Sequence, residues 1–314
     1  MSKIGKSITE SIKILENGGL VSIPTETVYG LAADGLNKTA ILKIFAAKKR
    51  PSFDPLILHS SVDKIFTWVK EIPAPARKLA EAFWPGPLTL ILPKADTVPF
   101  EVTSGLDTVG VRVPNHPLTL ELLQKIDFPL AAPSANPFGY ISPTTAQHVN
   151  NQLGNEVDYI LDGGACEVGI ESTIVGFENN EAVIYRLGGL AIDEIEAIIG
   201  KVKIQNNQAS NPKAPGMIAV HYAPKKPLLL VEDFSEIEDN ELTAYLIFGQ
   251  NIEIDSERQF PLSSTQDYYE AAAKLYAMMR KLDESHFERI VAQRLPDFGL
   301  GKAINDRLFR ASVK

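Results

Sequence analysis

The chain has one cysteine, Cys166, in 314 residues. That excludes an internal disulfide and a cysteine-built metal cage, and it fits a reducing compartment. Its five histidines (His59, His116, His148, His221 and His286) show no paired ligand spacing, so the sequence specifies no metal centre. No apolar run approaches the roughly 20 residues needed to span a bilayer. The opening MSKIGKSITESIKILENGG lacks the unbroken apolar core of a signal peptide, and a cytoplasmic protein is expected. Neither a phosphate-binding P-loop nor a dinucleotide fingerprint occurs, and there is no nucleophile elbow. Basic excess is missing too. Net charge is −8, and the first 200 residues hold 16 Lys and Arg against 23 Asp and Glu. A protein held tightly on nucleic acid by phosphates needs the opposite balance.

What is present is an alternation of short apolar runs and helical patterns. Strands are expected at 20–24, 55–59, 88–92, 109–113, 129–133, 158–161, 173–177 and 182–186. Helices are expected at 4–17, 38–49, 62–70, 75–83, 117–126, 144–151 and 191–199. This reads as an α/β domain over residues 1–200, with a twisted mixed open sheet. Residues 201–224, with three lysines, no acid and many Asn, Gln, Pro and Gly, read as a linker. Its apolar, aromatic end, MIAVHYAP, suggests a lid. Over 225–314 the strands 227–231, 242–249 and 287–292 and the helices 266–282 and 301–312 suggest a small doubly wound, Rossmann-like domain.

Several segments place polar groups where strands end, the usual position of ligands in open α/β sheets. In SIPTETVYGL, Thr25, Glu26 and Thr27 follow a short buried strand. Lys48, Lys49 and Arg50 end a helix predicted to begin at Asn37, before RPSFDPLILH delivers His59 at a strand end. Arg112 in VGVRVP is a charge within a run that should be buried, which requires a partner such as a ligand carboxylate or phosphate. PLAAPSANPFGYISPTT sets Ser134 and Asn136 in a turn among small residues. There Ser142-Pro143-Thr144-Thr145 reads as a helix cap able to favour an anion. GIESTIV places Ser172 and Thr173 before a strand, and Arg186 closes another.

The order PTETVYGL, Lys48-x-Arg50, Ser134-x-Asn136 and GIESTIV closely resembles the YrdC family. With the later HYAP, the chain is similar to the long, two-domain threonylcarbamoyl-AMP synthases over essentially its whole length. The resemblance implies a nucleotidyltransferase that joins L-threonine, bicarbonate (or CO2) and ATP into threonylcarbamoyl-AMP, releasing pyrophosphate. Separate proteins would then transfer the threonylcarbamoyl group to tRNA. It places Thr27, His59, Arg112, Ala132 and Ser172 around threonine. Lys48, Arg50, Asp54, Thr108, Ser134, Asn136, Ser142, Arg186 and Tyr222 would surround ATP. Asp54 stands where the family often has Asn. A carboxylate beside a triphosphate is repulsive unless a cation such as Mg2+ intervenes. No general base is specified. Two alternatives remain at this point: a non-catalytic RNA-binding module, and a hydrogenase-maturation carbamoyltransferase, whose CxxC zinc motifs a one-cysteine chain cannot supply.

Overall fold

The computed structural model describes residues 3–179, 181–205 and 222–313. Its strands are β1 (Lys3–Gly5), β2 (Val21–Ile23), β3 (Gly30–Asp34), β4 (Ile57–His59), β5 (Leu88–Pro93) and β6 (Thr108–Arg112). There follow β7 (Leu130–Ala131), β8 (Tyr159–Leu161), β9 (Thr173–Glu178), β10 (Glu181–Arg186) and β11 (Lys203–Ile204). Together these form one sheet in the order β1-β8-β2-β3-β7-β4-β6-β5-β9-β10-β11. Strand directions are mixed: β4 and β6 are parallel, while β2 and β3, β5 and β6, and β9 and β10 are antiparallel.

Alternation along the strands sorts the two faces. Val109 and Val111 of β6 enter the main core with Ile41, Ile44, Leu79 and Val149, which belong to helices Lys38–Lys48, Ala74–Phe83 and Ala146–Leu153. On the opposite face, helices Ile8–Glu16 and Pro117–Lys125 cover only one end, through Leu15 and Leu122. Beyond them Ile57, Ile91, Ile174, Val183 and Tyr185 form a separate cluster that includes no helix. Arg112 lies on this second face, alternate to Val111. Among the described residues, this part of the face has no helix in its apolar cluster, which leaves room for a site.

The C-terminal strands β12 (Leu228–Val231), β13 (Thr243–Phe248), β14 (Gln259–Ser263) and β15 (Arg289–Gln293) form an all-parallel sheet, β12-β15-β13-β14. Helices Tyr268–Asp283 and Gly301–Ser312 contribute Ala272, Leu275, Ile304 and Leu308 to one cluster with Val28, Ile141 and Ile170 of the first sheet's loops. The small domain thus shares an apolar core with the loops around the site. Gly169 makes that approach possible: a Cβ there would lie 2.4 Å from the Ala273 Cα.

Three expectations need correction. The stretch 4–17 is not one helix, because Lys3–Gly5 pairs with β8 as an edge strand and Ser7 then caps a helix beginning at Ile8. The 62–70 segment makes only a single 3-10 turn, Ile65–Trp68. Ser142 does not cap a helix; Thr145 does, accepting the His148 N–H at 3.2 Å. Strands β3, β11 and β14 were not anticipated. Residues 206–221 of the expected linker and lid, 201–224, lie outside the described residues.

Candidate active site

At the end of β2, Pro24 breaks the strand and the next hydroxyls organise the turn. Thr25 Oγ1 donates to the Val28 carbonyl at 2.6 Å and accepts the N–H groups of Thr27 and Val28 at 3.2 Å each. With its one proton committed to Val28, Thr25 must accept in its 2.8 Å contact with Thr27. Thr27 is therefore the donor there, and its lone pairs are left to accept from a ligand.

His59 and Arg112 end parallel neighbours β4 and β6 and are register partners. Arg112 is buried, with Nη2 2.8 Å from Glu26 Oε1 and Nε donating to the Gly86 carbonyl at 3.2 Å. Glu26 Oε2 accepts the Asn115 N–H at 3.0 Å. The partner that a buried Arg112 requires is thus supplied by the chain's own TET segment. The Arg112–Glu26 approach is close but off hydrogen-bond alignment, leaving Arg112 Nη2 with donor capacity. Burial first, then the adjacent Arg112, take the His59 imidazolium down to about 3, so His59 is neutral near pH 7.

That shift has a measurable consequence. An unfolded histidine binds its proton near pH 6.5, whereas folded His59 resists it until about pH 3. Stability from this group is complete above pH 6.5 and falls as pH drops through that window. Between pH 6.5 and 4 the loss should be about 3 kcal/mol. Urea unfolding at pH 7 and pH 4 should show a larger acid loss in the wild type than in His59→Asn. Equal losses would mean that His59 is not held neutral.

Helix Lys38–Lys48 starts at the Asn37 cap and ends with Lys49 in the left-handed conformation, φ 52°. The turn sends Lys48 inward, where Nζ donates to the carbonyls of Ser134 and Asn136. Burial, then Arg50, lower the Lys48 ammonium. Asn136 Nδ2 donates to the carbonyls of Pro137 and Tyr140 at 2.9 and 2.8 Å. Lys48 and Asn136 therefore hold the shape of the Ser134 turn. Arg50 donates to the Asp54 and Pro55 carbonyls at 3.1 and 2.9 Å, and its Nη2 lies 2.8 Å from Asp54 Oδ2. Burial pushes the Asp54 carboxyl up, against the opposing pull of Arg50.

The third wall comes from GIESTIV and the end of β10. Arg186 donates to the Ser172 carbonyl and hydroxyl at 3.0 and 3.1 Å, and Ser172 Oγ is 2.8 Å from Thr89 Oγ1. Behind Ser172, Glu171 accepts Ser142 Oγ at 2.6 Å, the Tyr276 hydroxyl at 2.9 Å and Arg307 Nε at 2.9 Å. Burial alone would raise the Glu171 carboxyl; Arg307 and Arg186 outweigh it and bring it to about 2. Tyr222 is buried with φ 65°, its ring 5.0 Å from the Arg307 guanidinium and 5.6 Å from the Tyr276 ring.

These walls enclose a narrow cavity of about 50 Å³. All five residues expected around threonine, Thr27, His59, Arg112, Ala132 and Ser172, line it. From the ATP set it gathers Arg50, Ser134, Arg186 and Tyr222. Lys48, Asn136, Ser142 and Asp54 sit behind those residues as supports. Thr108 lies elsewhere, at the far end of β6, in a separate cavity with Phe177 and Tyr185. Glu26 and Glu171 stood inside the motifs without an assigned role. Arg307 and Tyr276 gave no local signal, since each occupies an ordinary amphipathic helix.

The donor set does not suit a resident metal. Among the described residues no three His, Cys, Asp or Glu side chains cluster. Each carboxylate nearest the cavity, Glu26, Asp54 and Glu171, already faces an arginine.

Residues 13–188 match the Sua5/YciO/YrdC family, described as telomere recombination, and residues 190–313 match the threonylcarbamoyl-AMP synthase C-terminal domain. Threonylcarbamoyl-AMP synthase of Pyrococcus abyssi is 40% identical, over 95% of this chain and 92% of the relative. The Bacillus subtilis enzyme of the same name is 38% identical, over 97% and 92%. A crystal structure of P. abyssi Sua5 complexed with L-threonine superposes with a TM-score of 0.90 at 37% identity, covering 99% of this chain and 97% of that one. With both family regions present in sequence order and both sheets in the matching fold, the chain belongs to the Sua5/YciO/YrdC family, in the two-domain form of the threonylcarbamoyl-AMP synthases.

Proposed function

We propose that this enzyme converts L-threonine, bicarbonate or CO2, and ATP into threonylcarbamoyl-AMP and pyrophosphate. It would act in the cytoplasm and supply the proteins that transfer the threonylcarbamoyl group to tRNA. The observation that carries the proposal is the convergence of Arg50, Arg112 and Arg186 with the hydroxyls of Thr27 and Ser172 on one cavity. That set suits a ligand with a carboxylate, a hydroxyl and phosphates. The chain's net charge of −8 argues against tight unassisted RNA binding.

In this reading Arg112 takes the threonine carboxylate, and Thr27 accepts from the threonine hydroxyl. Neutral His59 shapes the wall without adding a second cation. The threonine amine, once deprotonated, attacks CO2 and its nitrogen loses a proton, giving a carbamate. A carbamate oxygen then attacks the α-phosphorus of ATP, and the bond to the β-phosphate oxygen breaks to release pyrophosphate. Arg50 and Arg186 stabilise charge on the phosphates in a site poor in water, where such contacts count most. Burial also protects the carbamate from hydrolysis. Orientation of the reactants can supply much of the acceleration without a dedicated base.

The experiment is an omission series with purified protein, Mg2+ and ATP. Pyrophosphate release should require both threonine and bicarbonate. Release that continues unchanged without either one would defeat the proposal.

A further inference from the structure

We infer that Arg307, from the C-terminal domain, is a positioning residue for this active site: it holds Glu171, Leu187 and Tyr222 so that Ser172, Arg186 and Tyr222 face the cavity. The inference rests on the function proposed above but adds a role for the small domain. Arg307 is fully buried on helix Gly301–Ser312. Its Nε donates to Glu171 at 2.9 Å and its Nη2 to the Leu187 carbonyl at 2.7 Å. Its Nη1 donates to Asp306 Oδ2 at 2.8 Å, which fixes the plane of the guanidinium.

The two groups gripped in this way, the Glu171 side-chain carboxylate and the Leu187 backbone carbonyl, belong to the residues flanking the cavity groups. Glu171 precedes Ser172, and Leu187 follows Arg186. Those segments are locked together with no slack. Gly189 N–H donates to the Glu171 carbonyl at 2.9 Å, and a Cβ on Gly188 would lie 2.3 Å from that same oxygen. Arg186 in turn holds Ser172 by two hydrogen bonds. The third object held is Tyr222, kept at a positive φ that a non-glycine residue adopts only when its surroundings demand it. The Arg307 guanidinium lies 5.0 Å from the centre of its ring, and the Tyr276 ring stacks with it at 5.6 Å. Tyr276 also reaches Glu171, so both side chains of the small domain act through one carboxylate. A lysine, a flexible point charge, cannot reproduce a planar fork that bridges three groups.

The test compares Arg307→Lys, Tyr276→Phe and their double variant with Asp283→Asn. Asp283 also joins the domains, accepting from Tyr140 Oη at 2.5 Å, but lies outside the cavity lining. Wild-type pyrophosphate release is measured first, and its absence would sink the proposed function. Arg307→Lys should lower kcat/KM for ATP at least about tenfold, the loss of one charged hydrogen bond. Tyr276→Phe should lower it less, and the double variant should lose less than the product of the two, because both act through Glu171. Asp283→Asn should stay within about twofold when assayed well below its own melting temperature. A loss as large in Asp283→Asn would reduce Arg307 to simple domain docking. Independently of any substrate, amide exchange at residues 171–173 and 186–189 should be faster in Arg307→Lys than in the wild type. If Arg307→Lys does not fold, Tyr276→Phe carries the same exchange comparison. Unchanged exchange there, or wild-type kinetics in the folded variants, would overturn the inference.

Discussion

Valine in place of threonine should lower kcat/KM for pyrophosphate release by at least about a hundredfold. The two amino acids share size, branching, ammonium and carboxylate, so shape alone discriminates poorly between them. The difference lies in the hydroxyl. Thr25 commits its only proton to the Val28 carbonyl, which obliges Thr27 to donate to Thr25. A buried oxygen on Thr27 then meets a methyl group when valine occupies the site, and an unmet polar group in a dry pocket is costly. Thr27→Val should reverse the logic, narrowing the preference while threonine turnover falls. Steady-state kinetics with both amino acids on both proteins makes the comparison. Equal turnover of threonine and valine by the wild type would remove the argument for a hydroxyl-reading site.

The second large effect is expected at Arg112. Arg112→Met should weaken threonine binding by about 10- to 150-fold, the equivalent of roughly 1.5–3 kcal/mol for a charge-assisted hydrogen bond. It should also destabilise the fold, because Glu26 is left buried without its countercharge, at a cost of about 3–5 kcal/mol. These two consequences can be separated. Adding Glu26→Gln removes the orphaned charge and should restore much of the lost stability. It should not restore threonine affinity, because nothing replaces the guanidinium in the cavity. Calorimetry with threonine, alongside denaturant unfolding, reads both quantities. Recovery of threonine affinity in the double variant would show that Arg112 only balances Glu26.

The fold was legible where local pattern and tertiary role agree. Helix Lys38–Lys48 begins at a capping Asn37 and ends at a left-handed Lys49, and both its apolar rows and its polar ends point the same way. Strand β6 announced itself through alternating valines, with Arg112 as the exception that marks the site. Strand β3, GLAAD, passed unseen because alanine and glycine carry little strand preference; it exists through its pairing with β2 and β7. The two-residue β11 is decided likewise by its neighbour β10.

The site divides by the same rule. Residues inside quoted motifs, such as Thr27 and Ser172, stand out as candidates because small polar groups beside strand ends are unusual, and both line the cavity. Their supports do not stand out. Nothing in RLFRAS distinguishes the buried Arg307 from the polar stripe of any surface helix, and its importance appears only when the small domain is folded against Glu171. Glu26 shows a subtler failure. A buried arginine needs a partner, for which a ligand carboxylate or phosphate was offered, and the chain itself places a carboxylate 2.8 Å away. Reading a lone charge as a vacancy for ligand overlooks partners distant in sequence.

The most direct test of the central claim is the mass of the product formed from ATP, threonine and carbon-13 bicarbonate, quenched within the first turnovers. An adenylate carrying both the threonine atoms and the heavy carbon is expected, formed in step with pyrophosphate. An adenylate of threonine without the heavy carbon would contradict that claim, as would pyrophosphate released with no carbamoylated adenylate.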